Sequence, residues 1–260
     1  MSHMKNKVLI VGGNGFLGTK LTMSDSRFID FLSLPANDWS LPSQDSKIKT
    51  VVFLRSISSP TYVHKNPKES ELLNVEQTSN YIDECLKSNH RVIFTSSDVV
   101  YGETGDTIVN EHVLTNPFGL YATQKAKIEN RFKDSQNFVS LRLSLVTGSG
   151  SKLRDILSKE NSPAIADSFI RSPVNAKHVV NLIQIISSEH KWLPEHKLIN
   201  VGGREHISIF DLARSEAKEY NLNTPIKTHP TELDLKARPR TVRMYSGLAE
   251  SLVDSQFGFE

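Results

Sequence analysis

Two ionisable residues, Tyr121 and Lys125, lie four positions apart in the segment "YATQK". Residues i and i+4 share one face of an α-helix, so this spacing places a phenol beside an ammonium. A free phenol has a pKa of about 10, and a nearby cation favours the phenolate and lowers that pKa. The pair can therefore act as a proton donor and its activator. The alternative is a core tyrosine next to a lysine whose stem packs along the protein surface.

A second polar group follows the apolar run "RVIF", in the segment "TSSDVVYG". Ser96, Ser97 and Asp98 emerge there at the carboxyl end of a predicted strand, one strand end and one loop before Tyr121. Ser97 could donate a hydrogen bond to a carbonyl oxygen and hold it beside the phenol, although serine is also common in turns. Asp98 could act as an acid if it faces the same pocket.

A glycine-rich turn, "VGGNGFLG", comes directly after the first apolar run. Gly12, Gly15 and Gly18 are spaced by three, and Gly13, Gly15 and Gly18 also satisfy the G-x-G-x-x-G pattern. Such glycines allow a tight turn, a close approach to a pyrophosphate and close packing of helix on strand, while the following helix directs its positive end at the phosphates. The motif predicts dinucleotide binding; the alternative is a similar turn without a ligand. The absence of G-K-[ST] argues against a phosphate-hydrolysing P-loop.

The choice between NAD and NADP depends on the tip of the second strand, "LSLPANDW". No acidic residue precedes Asp38 there, so the carboxylate that would bind the adenosine ribose of NAD is missing. Asp38 either reaches the adenosine or caps local structure. Both cofactors stay open, with a slight preference for NADP. The glycine turn and this tip supply the predicted cofactor contacts Gly12, Asn14, Gly15, Phe16, Leu17, Gly18 and Asp38.

Apolar runs and amphipathic segments alternate through the first two thirds of the chain. The predicted strands are 7–11, 28–34, 50–54, 91–97 and 138–146, and the main helices are 68–88, 117–133 and 175–188. Asn116 and Pro117 fit the N-cap and the first position of the second of these helices. This alternation predicts an α/β fold with a Rossmann-like, doubly wound parallel sheet, whose ligands bind at the carboxyl ends of the strands.

The chain divides into two predicted parts. Residues 5–147 form the dinucleotide-binding Rossmann domain. Residues 148–260 form mostly a small C-terminal substrate-binding lobe, with segments that return to the Rossmann sheet.

Composition excludes several classes of protein. With 31 basic and 29 acidic residues, the chain lacks the concentrated positive field of a nucleic-acid binder. The single cysteine, Cys85, excludes internal disulfides and Cys-based zinc sites, and we predict no metal site. No apolar run approaches the roughly 20 residues of a membrane helix. We therefore expect a soluble, cytoplasmic protein.

The glycine turn, "FTSSDVVYG" and "YATQK" together resemble the extended short-chain dehydrogenase/reductase superfamily, also called the NAD-dependent epimerase/dehydratase superfamily. Matches extend through most of the chain, including "LRLSLVTGSG" and "LINVGGREHISIFDLA". The segment "KARPRTVRM" looks most like the dTDP-4-dehydrorhamnose reductase branch.

The resemblance implies a role for each site residue, and it adds Leu54, Tyr121 and Lys125 to the expected cofactor contacts. Tyr121 would pass a proton to a carbonyl oxygen as hydride arrives from the nicotinamide, Lys125 would hold the nicotinamide ribose, and Ser97 would orient the carbonyl. Asn74 would support a proton path or bond a backbone kink. The residues implied to contact a nucleotide-sugar substrate are Ser97, Asp98, Asn74, Arg171 and Arg238, with Arg240 a further candidate for its diphosphate.

Three functions are compatible with these motifs. The first is an NAD(P)-dependent reductase of a nucleotide-activated 4-keto sugar, serving deoxysugar or surface-polysaccharide synthesis. The second is a nucleotide-sugar 4-epimerase with tightly bound NAD, and the third is a non-catalytic cofactor-binding regulatory subunit. A 4,6-dehydratase is disfavoured because Val99, not an acidic residue, follows Asp98.

The chain also departs from the superfamily pattern at two positions. Arg55 stands where a small residue normally lies beside the cofactor, and Thr147 replaces a common tyrosine. The helices at 70–88 and 117–133 resemble those that pair two subunits in a four-helix arrangement, which predicts a homodimer. The alternative is that both helices only cover the sheet.

Overall fold

The computed structural model describes residues 7–30, 48–159, 161–188 and 197–259. Its strands are β1 (Lys7–Val11), β2 (Phe28–Asp30), β3 (Ile48–Phe53), β4 (Arg91–Ser97), β5 (Ile108–Val109), β6 (Phe138–Leu143), β7 (Val146–Thr147), β8 (Ala164–Ala166), β9 (Ile170–Arg171), β10 (Val174–Asn175), β11 (Leu198–Val201), β12 (Ile207–Ser208), β13 (Ile226–Thr228) and β14 (Arg243–Met244). Its α-helices are α1 (Phe16–Ser24), α2 (Pro60–Lys65), α3 (Pro67–Glu71), α4 (Thr78–Lys87), α5 (Leu120–Phe132), α6 (Lys152–Lys159), α7 (Ala176–Ile186), α8 (Ile209–Glu219), α9 (Glu232–Ala237) and α10 (Gly247–Val253).

Within the described residues, six strands form one sheet in the order β11-β6-β4-β3-β1-β2, and every neighbouring pair is parallel. Their apolar runs are buried because helices cover both faces of the sheet. The predicted doubly wound parallel sheet is confirmed. From β1 the chain moves outward first to β2 and later, in the opposite direction, to β3, so the carboxyl ends of β1 and β3 mark the point where the strand order reverses.

Two apolar layers sandwich the sheet. On one face, β-strand side chains pack against α1, α7 and α10, including Leu21, Ile183 and Ala249. On the other face they pack against α4 and α5 through Tyr81 and Ile128. The sheet therefore holds α5, which carries Tyr121, directly over β4 and β6.

A smaller apolar cluster lies beyond the sheet. It joins α6 and α8 through Leu153, Leu157, Leu212 and Ala217. The C-terminal residues also return to the main sheet, because β11 pairs in parallel with β6. The division of the chain at residue 147 stays a prediction.

The helix that carries Tyr121 begins later than predicted. It starts at Leu120 with Gly119 as its N-cap, so the assignment of Asn116 and Pro117 to the cap and first position is wrong. Gly119 has a φ of 85°, and a Cβ there would lie 2.2 Å from the carbonyl oxygen of Ala237. This close approach requires glycine, and the residues before it form an irregular segment instead of a helical turn.

The predicted helix at 68–88 is interrupted in its middle. A π-helical segment, Leu72–Gln77, joins α3 to α4 and contains the buried Asn74. The predicted strand 138–146 is shorter in the structure, because it ends at Leu143 before the separate β7. Of the predicted strand 28–34, only residues 28–30 lie within the described residues.

Candidate active site

A cleft of about 460 Å³ lies at the carboxyl ends of β1, β3, β4 and β6. Its wall combines the glycine turn, the loop after β3, the end of β4, one face of α5 and residues of the C-terminal part of the chain. The predicted site residues that line it are Gly12, Gly15, Phe16, Leu17, Gly18, Leu54, Ser97, Asp98, Tyr121, Lys125, Arg171 and Arg238.

The glycine turn forms a cradle that side chains would fill. Gly12 has a φ of 99°, and a Cβ there would lie 2.9 Å from the backbone nitrogen of Arg55. A Cβ at Gly18 would lie 2.5 Å from the carbonyl oxygen of Gly12 and 2.5 Å from the Cα of Gly13. The turn is closed by a hydrogen bond from Gly15 N to Gly12 O, and α1 begins at the next residue. This geometry fits a dinucleotide pyrophosphate at the N-terminus of α1.

Tyr121 and Lys125 lie on the face of α5 that meets the cleft. The Tyr121 side chain is 8% exposed and lines the cleft together with Ser97 and with Ser56, which follows β3. Lys125 Nζ donates to the carbonyl oxygen of Thr95 at 2.8 Å and lies 5.8 Å from the centre of the Tyr121 ring. The structure thus brings the three predicted catalytic side chains together on one wall.

Burial shifts the pKa of both ionisable groups on α5. Desolvation lowers the pKa of Lys125 to about 7, although Glu129 acts in the opposite direction. Desolvation and the Asp98 carboxylate raise the pKa of Tyr121, while the nearby Ser56 and Ser97 hydroxyls lower it. The direction for the phenol is the reverse of the one expected from the Tyr-Lys spacing, because burial outweighs the effect of polar neighbours.

Asp98 lies fully buried at the base of the cleft. Its carboxylate accepts hydrogen bonds from Ser97 Oγ at 3.1 Å and Ser144 Oγ at 2.7 Å, and Arg171 Nε lies 3.8 Å away. Burial raises the pKa of Asp98 despite Arg171 and the two hydroxyls, which lower it. The carboxylate therefore orients Ser97 and Arg171 from below the cleft.

Two arginines of the C-terminal part reach the cleft. Arg171 is held by the carbonyl oxygens of Ile170, Pro239 and Arg240 at 2.7 to 2.9 Å. Arg238 stacks over the Phe169 ring at 4.0 Å and donates to Asp234, while among the described residues its buried Nε has no hydrogen-bond partner. These cations could meet the negative charge of a nucleotide diphosphate.

Several predicted site residues lie elsewhere. Asn74 is buried behind the cleft, and its amide bonds the Ile57 backbone, Ser56 and Gln124. Both expected roles of Asn74, support of a proton path and bonding of a backbone kink, stay predictions. Asn14 is exposed, and Asp38 lies outside the described residues.

Sequence reasoning also missed residues that line the cleft. Ser56 follows β3, Ser96 is the neighbour of Ser97, and Lys152 begins α6. Ser96 is 4% exposed, and within the described part of the chain its Oγ is a buried atom without a hydrogen-bond partner. The position of Ser56 at the carboxyl end of a central strand was the signal that could have found it.

Arg55, the main departure from the superfamily pattern, contributes backbone to the site. Its nitrogen donates to the carbonyl oxygen of Val11 at 3.0 Å and lies under Gly12. Burial lowers the pKa of its guanidinium. The glycine turn therefore rests on the Arg55 backbone.

A model of the family described as "RmlD substrate binding domain" matches residues 6–260 of the chain. The chain belongs to this family. It is a member of the extended short-chain dehydrogenase/reductase superfamily and an NAD(P)-dependent oxidoreductase.

Solved structures share the fold of this RmlD-family chain. MoeE5, in complex with UDP-glucuronic acid and NAD, has 20% sequence identity and a TM-score of 0.80, with 97% of this chain and 94% of that chain covered. A dTDP-4-dehydrorhamnose reductase from Bacillus anthracis, in complex with NADP, has 15% identity and a TM-score of 0.80, with 99% and 95% covered. A hypothetical dTDP-4-dehydrorhamnose reductase from Sulfolobus tokodaii has 17% identity and a TM-score of 0.77, with 96% of each chain covered.

Two searches of the described residues were negative. They contain no group of three or more His, Cys, Asp or Glu side chains arranged to hold a metal ion. No helix among them is long and apolar enough to span a bilayer.

Proposed function

We propose that this RmlD-family protein reduces the 4-keto group of a nucleotide-activated sugar. The observation that carries the proposal is that Ser97, Tyr121 and Lys125 line the same cleft as the glycine cradle. A dinucleotide bound along this cleft would present its nicotinamide end to the phenol. The family match supports the same chemistry.

Each catalytic side chain has a distinct task in this reaction. When bound, the reduced nicotinamide supplies a hydride to the carbonyl carbon. Ser97 donates a hydrogen bond that orients the carbonyl oxygen, and Tyr121 gives that oxygen its proton. Lys125 holds the cofactor ribose and places a positive charge near the phenolate that forms.

Two arginines that line the cleft support a nucleotide sugar as the class of substrate. These are Arg171 and Arg238, and both are fixed by neighbouring residues of the chain. Fixed guanidinium groups suit the diphosphate of a nucleotide sugar. Structural neighbours crystallised with UDP-glucuronic acid or UDP-glucose support this class of ligand. Such a reductase would serve deoxysugar or surface-polysaccharide synthesis in the cytoplasm.

The cofactor preference is proposed as NADP over NAD. The sequence after β2 supports it, since residues 31–37 contain no acidic residue and a carboxylate there would repel a 2′-phosphate. Isothermal titration of the protein with NADPH and NADH measures this preference directly.

Stoichiometry tests the reductase proposal against the epimerase alternative. A thermal-shift screen of nucleotide sugars with NADPH and NADH identifies ligands, because compounds that bind only the folded state raise the unfolding midpoint. With the 4-keto form of the best sugar, a reductase oxidises one reduced cofactor for each product molecule. With the 4-hydroxy form of the same sugar, interconversion of its two C4 epimers without net cofactor oxidation would establish an epimerase and overturn the proposal.

The protein is further proposed to form a homodimer through the pair of helices formed by residues 67–87 and 120–132. One observation that supports a contact there is the exposed Leu72, whose side chain is 48% accessible on the π-helical segment.

A further inference from the structure

Gln124 is a fully buried amide on α5, three residues after Tyr121. Its Oε1 accepts a hydrogen bond from Asn74 Nδ2 at 2.9 Å, which ties α5 to the π-helical segment. Its Nε2 donates to Ser70 Oγ at 3.0 Å and to Glu71 Oε2 at 3.3 Å, which ties α5 to α3. The helix that carries the proposed proton donor is therefore bonded to two neighbouring elements through one side chain.

Asn74 extends this connection to the loop after β3. Its Oδ1 accepts from Ile57 N at 2.8 Å, and its Nδ2 donates to Ile57 O at 3.1 Å, so a single amide holds both backbone groups of one loop residue. The amides of Gln124 and Asn74 therefore join α5 to a wall of the cleft. The residues of this wall that line the cleft are Leu54, Ser56, Ser58 and Pro60.

The same loop also supports the glycine turn. Arg55 N donates to Val11 O at 3.0 Å, and a Cβ at Gly12 would lie 2.9 Å from that nitrogen. The loop therefore contacts the glycine cradle at Arg55 and Asn74 at Ile57. A dinucleotide held by the cradle would lie along this loop, because both line the same cleft.

Hydrogen bonds of this kind set the position of α5 more closely than its apolar packing does. The first turn of α5 packs through Tyr121 against Val63 and Val99. Apolar contact is non-directional, whereas a hydrogen bond requires a distance and an angle. A buried amide that loses its partner also carries a desolvation penalty, so the contact between Gln124 and Asn74 opposes movement of the helix along the loop.

We propose that Gln124 is a positioning residue, which through Asn74 fixes the place of Tyr121 relative to a cofactor bound along the loop after β3. This inference rests on the proposed reductase function. In that reaction the hydride from the cofactor and the proton from the phenol must reach the two atoms of one carbonyl group. Misplacement of one of the reacting groups by about 1 Å lowers turnover about 10²-fold.

Gln124→Met tests the proposal, because it keeps the length of the side chain and removes both of its polar atoms. We expect kcat to fall at least about tenfold, since Tyr121 is no longer held in place. Cofactor affinity and the KM for the sugar should stay within about twofold of wild type. The pH-rate profile should keep its shape, because no ionisable group is lost. Gln124→Asn, whose amide is one methylene shorter, should give a smaller fall of kcat in the same direction.

Phe132→Leu is the control for a loss of stability on the same helix. Phe132 is buried at the far end of α5, where the centre of its ring lies 5.4 Å from that of Phe138. The substitution should lower the unfolding midpoint and keep the wild-type kcat. Wild-type kcat in folded Gln124→Met and Gln124→Asn, or an equal fall of kcat in Phe132→Leu, would overturn the proposal.

The fluorescence lifetime of the bound reduced nicotinamide gives a readout without sugar, because the lifetime lengthens when the ring is held rigidly. With the reduced cofactor that binds more tightly, Gln124→Met should shorten this lifetime, and Phe132→Leu should leave it at the wild-type value. If the lifetime shortens while the wild type reduces no 4-keto sugar, the positioning role stands and the reductase proposal fails. If the wild type reduces sugars and the lifetime does not shorten in Gln124→Met, the positioning role fails alone.

Discussion

Lys125 combines near-complete burial with a position one helical turn from the proton donor. Its Nζ has a single backbone acceptor, Thr95 O, and lies 4.7 Å from the centre of the Phe94 ring. Moving a charged ammonium from water into such buried surroundings costs free energy, and the pKa of Lys125 therefore falls to about 7. At neutral pH the group is close to its midpoint, so small changes in its surroundings alter its charge.

Replacing Lys125 with methionine should reveal this cost in the pH dependence of stability. Between pH 7 and the ordinary lysine pKa of 10.5, the unfolded chain binds more protons at this residue than the native protein does. The free energy of unfolding of the wild type should therefore rise with pH relative to Lys125→Met, by up to about 1.4 kcal/mol per pH unit. Urea unfolding of both proteins across this window measures the difference. A difference that stays constant with pH would contradict the lowered pKa.

The individual site residues differ in how far the sequence could predict them. Ser97, Tyr121 and Lys125 could be found because each belongs to a short motif at a strand end or on a helix face. Asn74 could be found, but its role depends on contacts with Ile57 and Gln124 that are 17 and 50 positions away. Ser56 was missed because a serine after a strand end is also common in turns, and only the fold shows that this one lines the cleft with Tyr121. The sign of the Tyr121 pKa shift depends on burial, which spacing does not give.

At the scale of elements, the glycine turn and α1 form the part of the site best specified by sequence. The helix predicted to follow the glycine turn is α1, which begins at Phe16, and β4 has the predicted bounds. The start of α5 was wrong because it depends on Gly119 packing against Ala237, a contact between distant parts of the chain. Local capping preferences do not contain that information.

Gly18→Ala tests whether the turn is a cofactor cradle. The new Cβ would lie 2.5 Å from backbone atoms of both Gly12 and Gly13, so the turn must move. We expect cofactor affinity to fall at least about tenfold, or about 1.4 kcal/mol. Isothermal titration with NADPH and NADH measures the change.

Gly258→Ala is the matched control for that substitution. Among the described atoms, none lies within 4 Å of a Cβ built there, so its cofactor affinity should stay at the wild-type value. A folded Gly18→Ala protein that binds the cofactor as tightly as this control would contradict the cradle.

At the scale of the whole molecule, the sheet and its two helical layers follow from the alternation of apolar runs. The C-terminal part returns to the sheet through β11 and contributes Arg171 and Arg238 to the cleft. Only the structure shows how it does so, because both features depend on contacts between distant parts of the chain. The surface of the helix pair proposed for dimerisation carries both apolar and charged side chains. It carries the exposed Leu72 beside ion pairs within the chain, Lys127 with Glu71 and Arg131 with Asp83.

Light scattering after size-exclusion chromatography tests the proposed homodimer. The wild type should show twice the mass of one chain, and Leu72→Asp should shift the protein toward the monomer because it buries a charge in the contact. Leu114→Asp is the control, since Leu114 is 89% exposed and lies outside both helices. A wild type with the mass of one chain would contradict the homodimer.

The turnover of Tyr121→Phe tests the central claim most directly, because this change removes only the phenolic oxygen. With the nucleotide 4-keto sugar and reduced cofactor that the wild type uses, kcat should fall by about 10²–10⁴-fold, as expected for loss of proton transfer. Cofactor affinity, measured in parallel by isothermal titration, should stay within about twofold of the wild-type value, equivalent to about 0.4 kcal/mol. A variant that binds the cofactor normally and keeps wild-type turnover would contradict Tyr121 as the proton donor.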